Sequence, residues 1–193
     1  MSDICDDPAI RSLFLSSLGT LEIANNQEFL MKKYAEYTGE SVYALKGDND
    51  GFSLRLTWKR GFVEGPASIL APDKTVVCDF QFRDFAPHGR AVFFCNGKRF
   101  CSMSVVDGNY IGDCEFFRNG RILYSGDYFH GDVNGNGILY YPDGSIMYEG
   151  EFRYGYADGT GTFHSPEGEE VLSDSWKRGS CKDAKATVAL PPM

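Results

Sequence analysis

The sequence predicts a mainly β protein: an elongated, single-layer antiparallel sheet of consecutive β-hairpins, preceded by a short helical segment. Three observations carry that prediction. Tyr124, Gly126, Tyr128 and Gly131 return 24 residues later as Tyr148, Gly150, Phe152 and Gly155, and a fixed period marks a stack of one supersecondary unit. Within each copy, aromatic or apolar residues alternate with polar ones, the period of a half-buried strand. Each copy closes on a turn, Pro142-Asp143-Gly144 or Pro166-Glu167-Gly168, in which Pro pre-sets φ and Gly accepts φ > 0.

One copy therefore reads as a strand, a loop with glycines, a second strand such as residues 138–141, and a turn. Chained hairpins joined this closely pair in order, each touching mainly its neighbours. Stepping the period forward reaches Leu172, Trp176 and Gly179. Stepping it backward reaches Phe100, with Ser104 where the second aromatic belongs, then Val76 with Phe80, and, at a spacing of 22, Leu54 with Trp58 and Gly61. The array spans residues 54–179 in about six units, the last partial. In the weaker units Lys74 replaces a turn glycine, and Asp84 and Asp107 stand where strand-ending glycines belong.

Ahead of the array, residues 1–45 read as an N-terminal helical cap. Asp7 caps a helix that starts at Pro8, carries Ile10, Phe14 and Leu18, and ends at Gly19. A second helix starts at Asn25 with Glu28 behind it and runs through Leu30, Tyr34 and Tyr37 to Gly39. An open sheet needs its first edge covered, so the pair is expected to cap the edge near Leu54, with a partner-docking helix hairpin as the alternative. Residues 46–53 read as a polar linker and 180–193 as a flexible tail.

The pattern Tyr-x-Gly-x-aromatic-x-x-Gly, then Gly-x-Gly, then a closing turn resembles the membrane occupation and recognition nexus, or MORN, repeat. Residues 124–171 match it closely, 172–179 match its first half, and 54–123 match in part. The resemblance implies a twisted, groove-bearing sheet that serves as a scaffold, in which Tyr124, Tyr128, Tyr148, Phe152, Trp176 and Trp58 are the repeat aromatics lining a partner groove. It implies turn glycines at Gly131, Gly137, Gly144, Gly155, Gly161 and Gly168. It also suggests a cytoskeletal setting such as a cilium or flagellum, and dimerisation through C-terminal repeats. The array stops at Gly179 half a repeat in, so a homodimer or constitutive complex centred on Trp176 is expected.

Charge narrows the partners. The chain of 193 residues carries a net −8, and between Phe100 and Gly179 thirteen acidic residues face five basic ones. That balance repels phosphate backbones and anionic lipid, which makes nucleic acid and membranes poor partners and a basic or cytoskeletal protein a better one; the plainer alternative is an ordinary solvated acidic face. None of the six cysteines forms a C-x-x-C pair, the N-terminus has no charged-then-apolar leader, and no apolar run approaches a membrane span, so a cytoplasmic setting is expected.

Catalytic chemistry finds no footing. His88, His130 and His164 stand singly in different units, and nothing sets an acid, a base and a nucleophile together. Asp132, Asn134, Asn136 and Asp143 imitate a calcium loop, but the flanks read as strands where that loop needs helices. No catalytic residue, cofactor or metal is expected. The leading function is a non-enzymatic scaffold that docks other proteins; the alternatives are a lipid-binding module that recruits a complex to a membrane and an accessory subunit of an enzyme complex.

Overall fold

A computed structural model describes residues 7–15, 33, 35–45, 50–181 and 187–190. They form one helix, α1 (Pro8–Leu15), and twelve strands. The strands are β1 (Gly39–Ala44), β2 (Ser53–Lys59), β3 (Phe62–Leu70), β4 (Val76–Arg83), β5 (Ala86–Cys95), β6 (Lys98–Val106), β7 (Asn109–Arg118), β8 (Arg121–Phe129), β9 (Asp132–Tyr140), β10 (Ile146–Arg153), β11 (Tyr156–His164) and β12 (Glu170–Trp176). They make one open antiparallel sheet whose order across the sheet is the order along the chain. Among the described residues no helix is long and apolar enough to cross a membrane. The chain divides into two compact units, with the boundary between Tyr110 and Ile111.

Local chemistry explains the hairpins. Two-residue connections recur at Arg60-Gly61, Asp84-Phe85, Asp107-Gly108, His130-Gly131 and Tyr154-Gly155, and both residues of each have positive φ. That is the type I′ turn, whose twist matches the strands it joins. These turns set the register of the repeat and correct the sequence reading. The residue two places before each turn, and its counterpart ahead of Arg178-Gly179, is Trp58, Phe82, Val105, Tyr128, Phe152 or Trp176, all buried. The third and second units from the start are therefore 23 residues long, and a strict step of 24 runs out of phase in them. Phe80 and Ser104 are not the aromatic positions; Phe82 and Val105 are. Asp84 and Asp107 are first turn residues, and the glycine's place is held by Phe85 (φ 63°) and Gly108. A phenylalanine in that region is held by packing: Phe85 is buried and edge-on to Trp58 at 6.4 Å.

On the other side of the hairpins, three turns share one geometry. Ala71 N donates to Thr75 O, Tyr141 N to Ser145 O, and Ser165 N to Glu169 O, at 2.9, 2.9 and 2.8 Å. Asp73 and Asp143 each accept hydrogen bonds from the amide and hydroxyl two residues on. Those bonds hold both carboxyls below their usual range. Lys74 (φ 73°) adopts the conformation that Gly144 adopts in the later copy, so the turn survives the loss of its glycine.

In the unit ending at Tyr110, Leu54, Leu56 and Trp58 of β2 alternate with half-exposed Arg55 and Thr57. The helix starts as predicted, with the Asp7 carboxylate accepting the amides of Ala9 and Ile10 at 2.9 and 3.2 Å. Its position differs from expectation. Phe14 meets Phe93 edge-on at 5.2 Å, lies 6.0 Å from Phe100 and stacks on Tyr110 at 5.4 Å, so α1 covers a face of the sheet rather than the edge at Leu54. That edge is covered by β1, which pairs along β2 from Gly39↔Trp58 to Ala44↔Ser53. Residues 39–44, assigned above to the helical cap, are thus a strand, because an open row of amides and carbonyls is satisfied by another strand. Trp58 Nε1 reaches across it to Ser41 Oγ at 2.6 Å. Of the predicted linker, residues 46–49 lie outside the described residues and Ser53 already belongs to β2; Leu45 N donates to Phe52 O at 2.9 Å at this end of the hairpin. The second predicted helix lies outside the described residues, apart from Lys33 in helical conformation and the non-helical approach to Gly39.

In the other unit, part of the expected loose tail is docked. Val188 is buried; Ala157 N donates to Val188 O, Val188 N to Gly179 O, Gly179 N to Ala157 O and Leu190 N to Gly155 O, at 2.8–3.1 Å.

Candidate functional site

The strong copies lie in residues 111–190, and their inner face is built from two side chains that trade volume. Gly126 pairs with Gly137 across β8 and β9, and Gly150 with Gly161 across β10 and β11. The Tyr124 ring lies over Gly137 and the Tyr148 ring over Gly161: a Cβ added at either glycine would strike the phenol above it. The Tyr124 and Tyr148 hydroxyls point to the carbonyls of Asp127 and Glu151, at 3.4 and 3.3 Å. Gly137 and Gly161 are therefore strand glycines required by close approach, not turn glycines. Gly131, Gly144 and Gly168 do sit in turns, with nothing within 4 Å of an added Cβ, and are required by their φ of 82°, 98° and 87°.

The rings form a connected chain. Tyr124 meets Phe152 edge-on at 5.2 Å, Phe152 meets Tyr148 at 5.2 Å, and Tyr148 meets Trp176 at 5.3 Å. Trp176 Nε1 donates to Gly161 O at 3.0 Å. Tyr128 packs on Phe116, and a diagonal contact runs from Tyr124 to Phe152 and from Tyr148 to Trp176, each time a tyrosine to the next repeat's aromatic. All six predicted groove aromatics are at most 3% exposed. They are spent on the core, and Trp176 at 2% is a buried intramolecular anchor, not an exposed centre for a dimer.

Burial pushes the Tyr124 phenol well up, and pushes Tyr148 up to about 12, with Glu151 and Asp158 adding to the shift. An unfolded tyrosine ionises near pH ~10. The stabilisation from keeping these phenols neutral is complete below that pH and is lost as pH rises through the folded value. In an alkaline titration, Tyr124 and Tyr148 are expected to ionise late, together with loss of near-UV circular dichroism. A Tyr148→Phe variant that leaves the late phase unchanged counts against this assignment.

The outer face carries the exposed and half-buried polar side chains of these strands. Glu115, Ser125, Ile138, Glu149, Thr162 and Ser173 lie in register across β7 to β12, beside Asp113, Asp127, Asn136, Glu151, Thr160 and Ser175. Between them runs a shallow trough of about 670 Å³, floored by the backbone of Gly126, Gly137, Gly150 and Gly161. Asp127 and Glu151, at the same place in successive repeats, accept the amides of Asn136 and Thr160 at 2.9 Å. Glu149 contacts His164 Nε2 at 3.0 Å, a pairing the sequence period did not reveal. Of the other histidines, His88 pairs with Gln81 in β4 and β5, and His130 is a turn residue. The calcium-like oxygens have structural work: Asp132 accepts Val133 N, Asn134 bridges Phe129 O and Tyr154 N, and Asp143 closes its turn.

The weaker copies fill the same inner positions in another way. Where the strong copies have Tyr124–Gly126 and Tyr148–Gly150, the turn-based register puts Leu54–Leu56, Cys78–Phe80 and Cys101–Met103, every one buried. Ala67 faces Leu56, Ala91 faces Met103 and Cys114 faces Gly126, at the places that Gly137 and Gly161 hold in the strong copies. A small residue under a large neighbour has replaced a large ring over a glycine. The comparisons with known proteins follow this division: the model of the MORN repeat matches residues 124–146 and 148–170. No curated protein matches the chain. The two consecutive stretches that this model matches are the two copies in which a tyrosine lies over a glycine pair.

Proposed function

We propose that this chain is a non-enzymatic scaffold that docks a basic protein segment on the outer face of β7 to β12. MORN repeats are interaction modules for proteins or membranes. The observation that supports the protein reading is the outer face, where Glu149 lines the trough and Asp113, Glu115, Asp127 and Glu151 stand on the same face, while the repeat aromatics are buried inside. The setting we propose is cytoplasmic, with a cytoskeletal partner, on the resemblance alone.

A labelled Lys/Arg-rich peptide is expected to bind the full chain at low salt and to weaken as salt screens the face. Asp113→Asn combined with Glu149→Gln, both exposed, should weaken it roughly fivefold, as loss of steering charges does. Failure of the peptide to bind, or equal binding by the variant, removes the reading. Sedimentation with anionic vesicles in preference to neutral ones replaces it with the lipid-binding one.

A further inference from the structure

Of the five basic residues between Phe100 and Gly179, three converge. Arg153, Lys177 and Arg178 line a cleft of about 640 Å³ with Tyr154, Tyr156 and Asp158, where the β10–β11 turn meets the end of β12. Backbone bonds hold its walls. Arg178 N donates to Asp158 Oδ2 at 3.2 Å, which engages the one carboxylate in the lining. Gly179 N donates to Ala157 O, Leu190 N donates to Gly155 O, and Ala189 bridges Tyr156. Tyr154 and Tyr156 are 65% and 46% exposed. Among the described residues, neither phenol and none of the three cationic side chains has a hydrogen-bond or ion-pair partner.

Solvated turns have no need of two large exposed rings beside three unpaired cations; arginine with tyrosine is instead the composition of binding hot spots. Guanidinium forks pair with carboxylates through two parallel bonds, while tyrosine packs the aliphatic stem of a glutamate and offers a hydroxyl. The surroundings select the shape of the anion. Thirteen acidic residues in the same stretch oppose a broad anionic surface such as a bilayer. An extended peptide can place its carboxylates in the cleft alone, since screening confines repulsion to about 8 Å at physiological salt.

We propose that the Arg153–Tyr154–Tyr156–Lys177–Arg178 cleft docks an acidic, extended segment of a partner protein. The site is distinct from the acidic outer face and does not depend on what that face binds. A chain with both would bridge two partners of opposite charge.

The test uses the full chain, a labelled Glu/Asp-rich peptide, a Lys-rich peptide of equal length, and vesicles of phosphatidylserine in phosphatidylcholine. The acidic peptide binds, weakens with salt, and loses roughly tenfold or more in affinity on Arg153→Glu with Arg178→Glu, as expected when paired charges are reversed. Binding of the Lys-rich peptide is not weakened by that variant, which separates this site from the outer face. Tyr154→Ala, which keeps every charge, costs the acidic peptide several-fold. The reversed side chains are exposed and the bonded atom of Arg178 is its amide, so an unchanged circular dichroism spectrum is expected to accompany the loss. Absence of acidic-peptide binding at low salt overturns the proposal, as does binding unmoved by the charge reversal. Vesicle binding that is tighter than peptide binding and lost in the same variant overturns it as well.

Discussion

Phe152→Ala is expected to destabilise the protein by about 3–5 kcal/mol, the range for emptying a buried phenylalanine site. The upper part of that range applies because the site cannot collapse. Phe152 is 3% exposed and meets Tyr124 and Tyr148 edge-on, each at 5.2 Å, contacts that contribute about 0.5–1.5 kcal/mol apiece beyond burial. Its cross-strand partners are Gly135 and Ala157, which have no side chain long enough to swing into the void. The two tyrosines cannot follow either, since each lies against glycine backbone. Against a total stability of ~5–15 kcal/mol for a typical domain, the loss should appear as a large fall in the urea midpoint. A midpoint unchanged from wild type would falsify the placement of this ring at the junction of two repeats.

Adding a single methyl should be costly in the opposite sense. At Gly137 an added Cβ would lie 2.5 Å from two ring carbons of Tyr124, inside any tolerable contact. The ring is hemmed in by Phe116 at 6.2 Å, Phe152 at 5.2 Å and the Gly126 backbone. Gly137→Ala is therefore expected to cost about 1–3 kcal/mol by overpacking. A double-mutant cycle identifies the cause. In a Tyr124→Leu background the same Gly137→Ala change should be close to neutral, giving a coupling of about 1 kcal/mol or more. Equal costs in both backgrounds would assign the effect to the backbone of β9 and not to the ring above it.

The legible part of the fold was the part where chemistry forces one residue type. A tyrosine over glycine, and Pro-Asp-Gly turns, leave a period that can be read directly, and β8 to β12 followed it. The earlier units kept the hairpins but exchanged their inner residues, so only the type I′ turns preserved the phase, and a strict step of 24 missed Phe82 and Val105. The start of α1 was local, written in Asp7 and Pro8. Its resting place against Phe93 and Phe100 was not, because an apolar stripe says that a helix packs without saying where. Residues 39–44 were misassigned because Tyr34, Tyr37 and Gly39 have helical spacing and a helix stop, while the β-forming Val42 and Tyr43 were given no weight. For the surface, charge counting showed the acidic excess over residues 100–179 without placing it on a face of the sheet. The cationic cleft brings Arg153 beside Lys177 and Arg178, 24 and 25 residues further on, a meeting made by strand pairing that no local motif announces.

The exchange of inner residues between the two kinds of repeat also constrains how such a chain can diverge. Moving from Tyr124–Gly126–Gly137 to a Leu54–Leu56–Ala67 arrangement takes three substitutions, and each alone is harmful. Enlarging a glycine first produces a clash with the ring, whereas shrinking the tyrosine first leaves a void. The two solutions are therefore separate peaks joined by a valley of unstable intermediates, and a repeat that has settled on one is held there by selection. Recognition of a repeat from sequence then reports which of the two packings its inner face uses, while the hairpin geometry beneath persists in both.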